Sequence, residues 1–212
     1  VDAVVLALGG GSWSRLGSDG AWVPLLAQRG IDVQPLRPSN CGFDVAARPV
    51  GLAGSADNAA TETSSSGWST FFASRFAGQP FKSVAINFSD SLGREFSRRG
   101  EFVATATGVE GSLVYAASSF LRNDIERTGR ATFTLDLLPD KSAQQVLAEV
   151  RHPRGSRSLS SHLKSRLGLD GIKAAILHEL LDKDAMANPA KLAAAIKGLP
   201  ITVVRTQPID EA

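Results

Sequence analysis

The stretch KSVAINFSDSLGREFSRRGEFVATATG (residues 82–108) contains two segments rich in Val, Phe, Thr and Ile, separated by a turn signal. β-Branched and aromatic residues favour strands and Ser-Asp-Ser-Leu-Gly favours a turn, so residues 82–89 and 101–108 are predicted to be strands. Three further elements are predicted from the same signals: strands at 112–117 and 131–138, and a short crossover helix at 118–129. Several short strands with so little helix between them indicate a small barrel or sandwich.

After Pro139 the apolar residues recur with the period of a helix. Val146, Leu147 and Val150 form one stripe, and residues at spacings of four form the later ones: Leu159, Leu163, Leu167, Ile172, Ile176, Leu180, Leu192 and Ile196. This pattern predicts three or four short helices, each with one apolar face. A last strand is predicted at Ile201–Val204, and we expect it to rejoin the layer that contains Val4–Leu8.

The first 38 residues resemble part of an α/β layer. Residues 3–8, AVVLAL, form a continuous apolar run before a glycine, which is typical of a buried strand in a parallel sheet. A helix is predicted over 19–29, between the N-cap candidates Ser18 and Asp19 and the terminating Gly30. Because an apolar strand stands at the very start of the chain, we expect the chain to be a fragment of a longer protein.

Residues 50–67, VGLAGSADNAATETSSSG, are small and polar. Such a composition buries too little apolar surface to become ordered, so a mobile loop is predicted. Trp68, Phe71 or Phe72, and Phe76 follow at helical spacing and predict a short amphipathic helix.

The composition excludes several classes of protein. The 212 residues are 43% hydrophobic and 21% charged, as in ordinary globular proteins, and the formal net charge of +2 gives no reason to expect nucleic acid or an anionic membrane. No apolar run approaches the roughly 18–20 residues that span a bilayer. The single cysteine, Cys41, cannot form an internal disulfide, which favours a cytoplasmic location.

Three consecutive glycines follow the first predicted strand, where nucleotide-binding proteins place a phosphate loop. A dinucleotide fingerprint needs Gly-x-Gly-x-x-Gly/Ala, and alignment of Gly9 and Gly11 puts Ser14 at the third position. The P-loop pattern is absent, and a nucleophile elbow also fails because Ser14 stands where it needs a glycine. From the pattern alone, a plain strand-to-helix turn explains these glycines as well as a cofactor site does.

The motifs ALGGGSW, GSDG and PLRPSNCGF occur together with later segments that include RFAGQPFKSVA, GSLVYA, LDLLPD, RGSRSLSSHL, GLDGIKAAILHE and IKGLPITVVRTQPIDEA. This combination resembles a family of bacterial flavoproteins, the NAD(P)/FAD-dependent oxidoreductases with an inserted barrel-and-helix domain. The likeness covers nearly all of the chain and is more specific than any one glycine motif. The family's Gly-x-Gly-x-x-Gly turn for the ADP half of FAD, and its closing glycine-rich segment, are not among these 212 residues.

The resemblance implies a parent FAD-dependent oxidoreductase, to which this chain contributes the inserted substrate-side domain and one strip of the FAD domain. FAD would be held by the full-length parent rather than by this chain alone, and NAD(P)H is a candidate electron donor. The glycines would let the backbone pass close to the cofactor, and Gly17–Gly20 would direct helix N-terminal amides towards flavin or phosphate oxygens. The cofactor-binding residues implied in this way are Gly9, Gly10, Gly11, Ser12, Gly17, Ser18, Asp19 and Gly20.

Two alternatives remain open for these residues. Asp19 is equally well explained as a plain N-cap of the predicted helix. No side chain in the sequence identifies itself as a proton donor or base, so the catalytic residues stay unassigned.

The segment RHPRGSRSLSSHLKSRLG (residues 151–168) has no acid and five basic residues: Arg151, Arg154, Arg157, Lys164 and Arg166. Arg154 and Arg157 are candidates for gripping an anionic partner such as a phosphate group. The alternative is a solvated face balanced by the acids Asp170, Glu179, Asp182 and Asp184. No aromatic residue interleaves the basic ones, which argues against nucleic acid as the partner.

Asn40 and Cys41 are candidates for a substrate wall, because ligands tend to bind between domains. Cys41 could alternatively be a redox thiol or, as we favour, a semi-buried structural cysteine. The three histidines, His152, His162 and His178, lack the spacing of a ligand set, so no metal site is predicted.

Together these predictions give an α+β chain with a small β-barrel-like module and a helical subdomain, attached to a fragment of an α/β FAD-binding domain. The boundaries are 1–38 for the fragment, 39–142 for the barrel-like module, 143–200 for the helices and 201–212 for the returning strand. A second hypothesis treats residues 41–200 as a non-catalytic binding module with an anion-binding basic helix. The expected partner is a small-molecule substrate of unknown identity.

Overall fold

Six antiparallel strands close into a barrel in the computed structural model, which describes residues 3–47 and 67–211. Their order around the barrel is β1–β4–β3–β2–β5–β6, and β6 pairs with β1 to complete the circle. The strands are β1 (Phe43–Val45), β2 (Pro80–Ser89), β3 (Glu95–Ala104), β4 (Gly108–Glu110), β5 (Ala131–Asp136) and β6 (Leu199–Thr206). The predicted fold class, a small barrel followed by helices, is confirmed.

One helix precedes β1, two interrupt the strands, and a group of five lies between β5 and β6. Those within the described residues are α1 (Trp22–Ala27), α2 (Thr70–Phe76), α3 (Ser112–Thr128), α4 (Ala143–Arg151), α5 (Leu159–Leu167), α6 (Gly171–Leu180), α7 (Lys183–Ala187) and α8 (Pro189–Lys197). Short 3₁₀ turns occupy Ser14–Leu16 and Ile209–Glu211. None of these helices is long and apolar enough to cross a membrane.

Large aromatic side chains fill the barrel because its strands alternate inward and outward residues. In β5 the side chains of Ala131, Phe133 and Leu135 are buried, and the residues between them are more exposed. Phe81 in β2 lies directly opposite Phe102 in β3, and their rings stack with centroids 4.7 Å apart. Burial of such rings supplies much of the apolar area that stabilises a small barrel.

Helix α3 corrects the prediction for residues 112–117. The segment SLVYAA, predicted to be a strand, and the predicted crossover helix at 118–129 belong to one helix of 17 residues. Its buried apolar side chains recur at helical spacing: Leu113, Val114, Ala117 and Leu121. The strand preference of Val and Tyr is outweighed because this face packs against β3, β4, β5 and β6.

The C-terminal helical subdomain has five helices, α4 to α8, where the apolar stripes predicted three or four. The additional one, α7, has five residues and is too short to produce a periodic stripe. Side-chain caps fix where these helices begin. Ser142 and Gln145 form a reciprocal capping box at α4, and Asn188 caps α8 just before Pro189.

The predicted buried strand at residues 3–8 is wrong. These residues have no regular secondary structure, and the Val5 side chain is 90% exposed. A buried strand needs a neighbour on each edge, and none of the described strands pairs with this segment. The expectation that Ile201–Val204 rejoins it is also wrong, since β6 pairs with β1 and β5.

Helices form at both places where the sequence predicts them before β2. The helix predicted over 19–29 is shorter, Trp22–Ala27, and Gly30 after it adopts the left-handed conformation expected of a helix stop. Helix α2 forms as predicted, with Phe72 and Phe76 buried and Phe71 exposed. The predicted mobile loop at 50–67 lies outside the described residues except for Gly67.

Candidate functional site

The glycine segment folds back on itself next to the barrel. The amide of Gly20 donates to the carbonyl of Gly10 at 3.0 Å, and Trp13 and Ser18 form an isolated antiparallel bridge. A Cβ added at Gly11 would lie 3.0 Å from Cδ1 of Leu36. The two glycine-containing stretches therefore approach each other and Leu36 closely, and a side chain at Gly11 would require the end of the Leu36 side chain to move.

Four of the five amides of residues 17–21 are already used within this fold, those of Gly17, Ser18, Gly20 and Ala21. Those of Gly17 and Ser18 donate to the carbonyls of Ser14 and Trp13, and the amide of Gly20 donates to Gly10. Asp19 Oδ1 accepts from the amide of Ala21 at 3.0 Å, so Asp19 acts as a local turn cap, three residues before the helix begins. A flavin-facing role for Gly17–Gly20 stays a prediction, and it requires these amides to exchange partners.

The backbone of Gly10, Gly11 and Ser12 lines one side of a small cavity of about 180 Å³. Its other side is formed by the segment from Leu36 to Asn40, together with Ile209. The sequence-predicted residues Gly10, Gly11, Ser12 and Asn40 thus lie together. This cavity is smaller than the roughly 300–1,000 Å³ of a typical small-molecule site, so it could enclose only the edge of a larger ligand.

A second, larger cleft of about 800 Å³ adjoins the small cavity, because Ser12 and Asn40 line both. Polar and charged side chains dominate its lining: Ser12, Ser14, Arg15, Asn40, Tyr115 and Asp210, with Trp13 as the aromatic member. Tyr115 belongs to α3, and the others belong to segments before or after the barrel. No local sequence signal indicates Arg15, Tyr115 or Asp210, since three distant segments supply them.

An arginine clamp holds the segment before β1 against α3 and so fixes the wall of both cavities. Arg37 Nε donates to Glu126 Oε1 at 3.1 Å, and Arg37 also forms an ion pair with that carboxylate. Arg122 donates to the carbonyl of Pro38, and both arginines donate to Asn123 Oδ1. Burial, followed by the nearby Arg37 charge, lowers the pKa of the Arg122 guanidinium.

Cys41 lies behind this wall rather than in it. Its side chain is fully buried, more so than the semi-buried position predicted, and its amide donates to Ser118 Oγ at 3.2 Å. Burial raises the pKa of the thiol, although the Ser118 hydrogen bond and the Arg122 charge act in the opposite direction. A buried thiol with a raised pKa has the environment of a structural cysteine.

The predicted anion residues Arg154 and Arg157 are exposed in the connection between α4 and α5. They line neither of the two cavities next to the glycines. Two other basic residues of this segment are paired, Arg166 with Glu149 at 2.5 Å and Lys164 with Asp170 at 3.2 Å. Asp170, one of the predicted balancing acids, thus pairs with a basic residue of the segment.

His162, one of the three histidines, is buried, with Nε2 3.0 Å from the carbonyl oxygen of Glu149. Across residues 3–47 and 67–211, no group of three or more His, Cys, Asp or Glu side chains could hold a metal ion.

A buried acid that is not among the sequence-predicted site residues lies in β1, the strand that pairs with β6 to close the barrel. Asp44 in β1 is 1% exposed and accepts hydrogen bonds from Thr107 Oγ1, Gln207 Nε2 and the Arg205 guanidinium. All its hydrogen-bonding capacity is used internally. Asp44 therefore serves the closure of the barrel and not the neighbouring clefts.

The model of the HI0933-like protein barrel and H2TH domain matches residues 59–212. The chain belongs to this family. The matched range contains β2 to β6 and α2 to α8 of the HI0933-like domain, and it begins after the glycine segment and Asn40. Comparison with curated proteins gave no match.

Proposed function

We propose that this chain forms the substrate-side domain, and one wall of the flavin site, of an FAD-dependent oxidoreductase. The observation that carries the proposal is the pair of adjoining cavities where the glycine segment meets the segment before β1, helix α3 and the turn after β6. Bare glycine backbone lines the smaller one and hydrogen-bonding side chains line the larger one. This is the arrangement expected where a cofactor edge meets the space for a substrate.

The residues of the smaller cavity fit the edge of a flavin in one specific respect. Gly10 and Gly11 present backbone without side chains, and a Cβ at Gly11 would lie 3.0 Å from Cδ1 of Leu36, so a side chain there would press on the cavity wall. A cavity of about 180 Å³ requires a second wall to complete a site for the whole cofactor. FAD would supply the hydride or electron transfer when bound, and NAD(P)H is the electron donor we propose.

The chain's own residues would bind and orient. The arginine clamp of Arg37 and Arg122 holds the segment from Leu36 to Asn40 in place, so that Asn40 faces both cavities. Positioning of this kind is the part of flavin catalysis that the protein contributes. No described side chain is assigned as a proton donor or base.

The test compares two tryptophan substitutions in the product of the complete reading frame that encodes this sequence. Ser12→Trp places a large side chain at the position that lines both cavities, whereas Ser156→Trp places the same side chain on an exposed connection between α4 and α5. FAD released from each purified protein is quantified by chromatography. We expect the wild type and Ser156→Trp to carry FAD and Ser12→Trp to lose most of it. Equal FAD content in the two variants would overturn the placement of the site.

The unpaired arginines favour a second candidate function, an anion-binding module. Arg154 and Arg157 are exposed and form no ion pair with any residue that the structure describes. Binding of inorganic pyrophosphate, measured by calorimetry, would weaken in an Arg154→Ala/Arg157→Ala variant. A charge-matched control, Arg29→Ala/Arg130→Ala, removes two other exposed arginines. Equal weakening in both variants would indicate a general charge effect and would count against a site at Arg154 and Arg157.

A further inference from the structure

Two opposite charges line the larger cleft without pairing. Arg15, in the 3₁₀ turn Ser14–Leu16, and Asp210, in the turn Ile209–Glu211, both belong to its lining. No nitrogen of Arg15 lies within 4.0 Å of a carboxylate oxygen of Asp210, and neither charge is paired with another described residue. The lining of the cleft thus includes one cation and one anion that are unpaired among the described residues and lie on different segments.

Hydrogen-bonding groups of the barrel side complete this lining. Tyr115 of α3 is half-buried and lines the cleft together with the exposed Asn40. The tyrosine hydroxyl both donates and accepts a hydrogen bond, and the asparagine side chain offers an amide and a carbonyl. A ligand with a single charge would leave one of the two charged residues unmatched, whereas a ligand with both charges would match each of them.

We propose that the larger cleft binds a zwitterionic small molecule of the amino acid or short peptide class. Its carboxylate lies against the Arg15 guanidinium, its ammonium lies against the Asp210 carboxylate, and Tyr115 and Asn40 bind the polar groups between them. Arginine suits this role because its planar donors match a carboxylate. The identification of this ligand as the substrate rests on the proposed function. The match between its two charges and those of Arg15 and Asp210 rests only on the lining of the cleft.

The test uses flexible zwitterions whose two charges are separated by different lengths. γ-Aminobutyrate and ε-aminocaproate are the probes, and caproate and n-hexylamine are the matched ligands with a single charge. Binding is followed by NMR through the indole N–H resonance of Trp13, which lines the cleft. The FAD content of the same protein is measured separately. At least one zwitterion is expected to bind more tightly than both single-charge ligands, and added salt should weaken it because the site is open to solvent.

Two pairs of variants test the residues. Arg15→Ala and Asp210→Asn should each raise the Kd of the zwitterion about fivefold, the effect of one solvent-exposed ion pair. The charge-matched controls Arg130→Ala and Asp184→Asn change exposed residues that do not line this cleft and should leave the Kd unchanged. Equal effects in the two pairs, or single-charge ligands that bind as tightly as the zwitterions, would overturn the inference. Zwitterion binding by protein that never acquires FAD would keep the inference and contradict the proposed flavin function.

Discussion

Asp44 and Arg205 lie directly opposite each other on β1 and β6, the two strands that close the barrel, and form an ion pair across the seam. Arg205 Nε is 2.8 Å from Asp44 Oδ2, and Gln207 Nε2 is 2.7 Å from Oδ1. The Asp44 side chain is buried, whereas the Arg205 side chain is 70% exposed. Strands whose residues are 161 positions apart in the chain are thus joined by a buried carboxylate.

Replacement of Asp44 by Ala should destabilise the barrel strongly. The change leaves Thr107 and Gln207 without their acceptor and Arg205 without its anion, and we expect the free energy of unfolding to fall by about 3 kcal/mol. Urea denaturation followed by circular dichroism measures the loss. The matched control is Asp140→Ala, which removes a pair with Arg99 that is exposed at both ends and should cost less than about 1 kcal/mol. Equal losses would contradict a structural role for the buried pair.

Gly108 in β4 allows a close approach at the other edge of β1. It pairs with Asp44, and a Cβ at this position would lie 1.8 Å from the carbonyl oxygen of Phe43. Gly108→Ala must therefore push β4 away from β1, and we expect a loss of about 3 kcal/mol or more, from thermal denaturation.

The control for this change is Gly198→Ala after α8. Gly198 has no left-handed backbone, and its added Cβ would meet its nearest neighbour at an ordinary 3.8 Å. The free energy of unfolding of the Gly198→Ala variant should differ from that of the wild type by less than about 1 kcal/mol. A Gly108→Ala protein as stable as the control would show that the two strands do not approach this closely.

Cys41 should be inert in the folded protein. Its thiol is fully buried and burial raises its pKa, so both access and the thiolate fraction are low. Alkylation by iodoacetamide at mildly alkaline pH, followed by mass spectrometry, should be slow in buffer and fast in urea. Reaction in buffer at the rate seen in urea would instead revive the redox-thiol hypothesis.

Asp90 should make stability depend on pH in the acid range. It lies in the β2–β3 turn, where Oδ1 accepts from the amides of Leu92 and Arg94 and Oδ2 accepts from Arg94 Nε at 2.6 Å. Burial raises the pKa of this carboxyl, but these hydrogen bonds together outweigh it and hold the pKa below its usual 3.8.

A carboxyl whose pKa is lower in the folded than in the unfolded state contributes stability above the unfolded value, and that contribution is lost as the pH falls through the folded value. The difference in unfolding free energy between the wild type and Asp90→Asn should be constant near neutral pH and shrink below about pH 4. Denaturation at a series of pH values measures it, with Asp140→Asn as the exposed control. A difference that does not change with pH would contradict this assignment.

The sequence predicted those parts of the fold that depend on local pattern. Apolar stripes in α4, α5, α6 and α8 follow the helical period, and the turn at Asp90 follows its Ser-Asp-Ser-Leu-Gly signal. Strand β1 has three residues and cannot show an alternating pattern, so the closure of the barrel through Phe43–Val45 was not foreseen. In α3, local β-propensity pointed the wrong way and tertiary packing decided the outcome.

The candidate site was predicted only where it consists of a contiguous motif. Gly10, Gly11 and Ser12 follow one another in the chain, and Asn40 was a candidate because ligands tend to bind between domains. Arg15, Tyr115 and Asp210 come together only after the barrel has closed, because α3 and the turn after β6 are brought to the same face. No spacing rule along the sequence connects residues that far apart.

The flavin content of the product of the complete reading frame tests the central claim most directly. The proposed function predicts a yellow protein with flavin absorbance, from which denaturation releases FAD in near-stoichiometric amount. A colourless product that gains no flavin absorbance when FAD is added during refolding would contradict it.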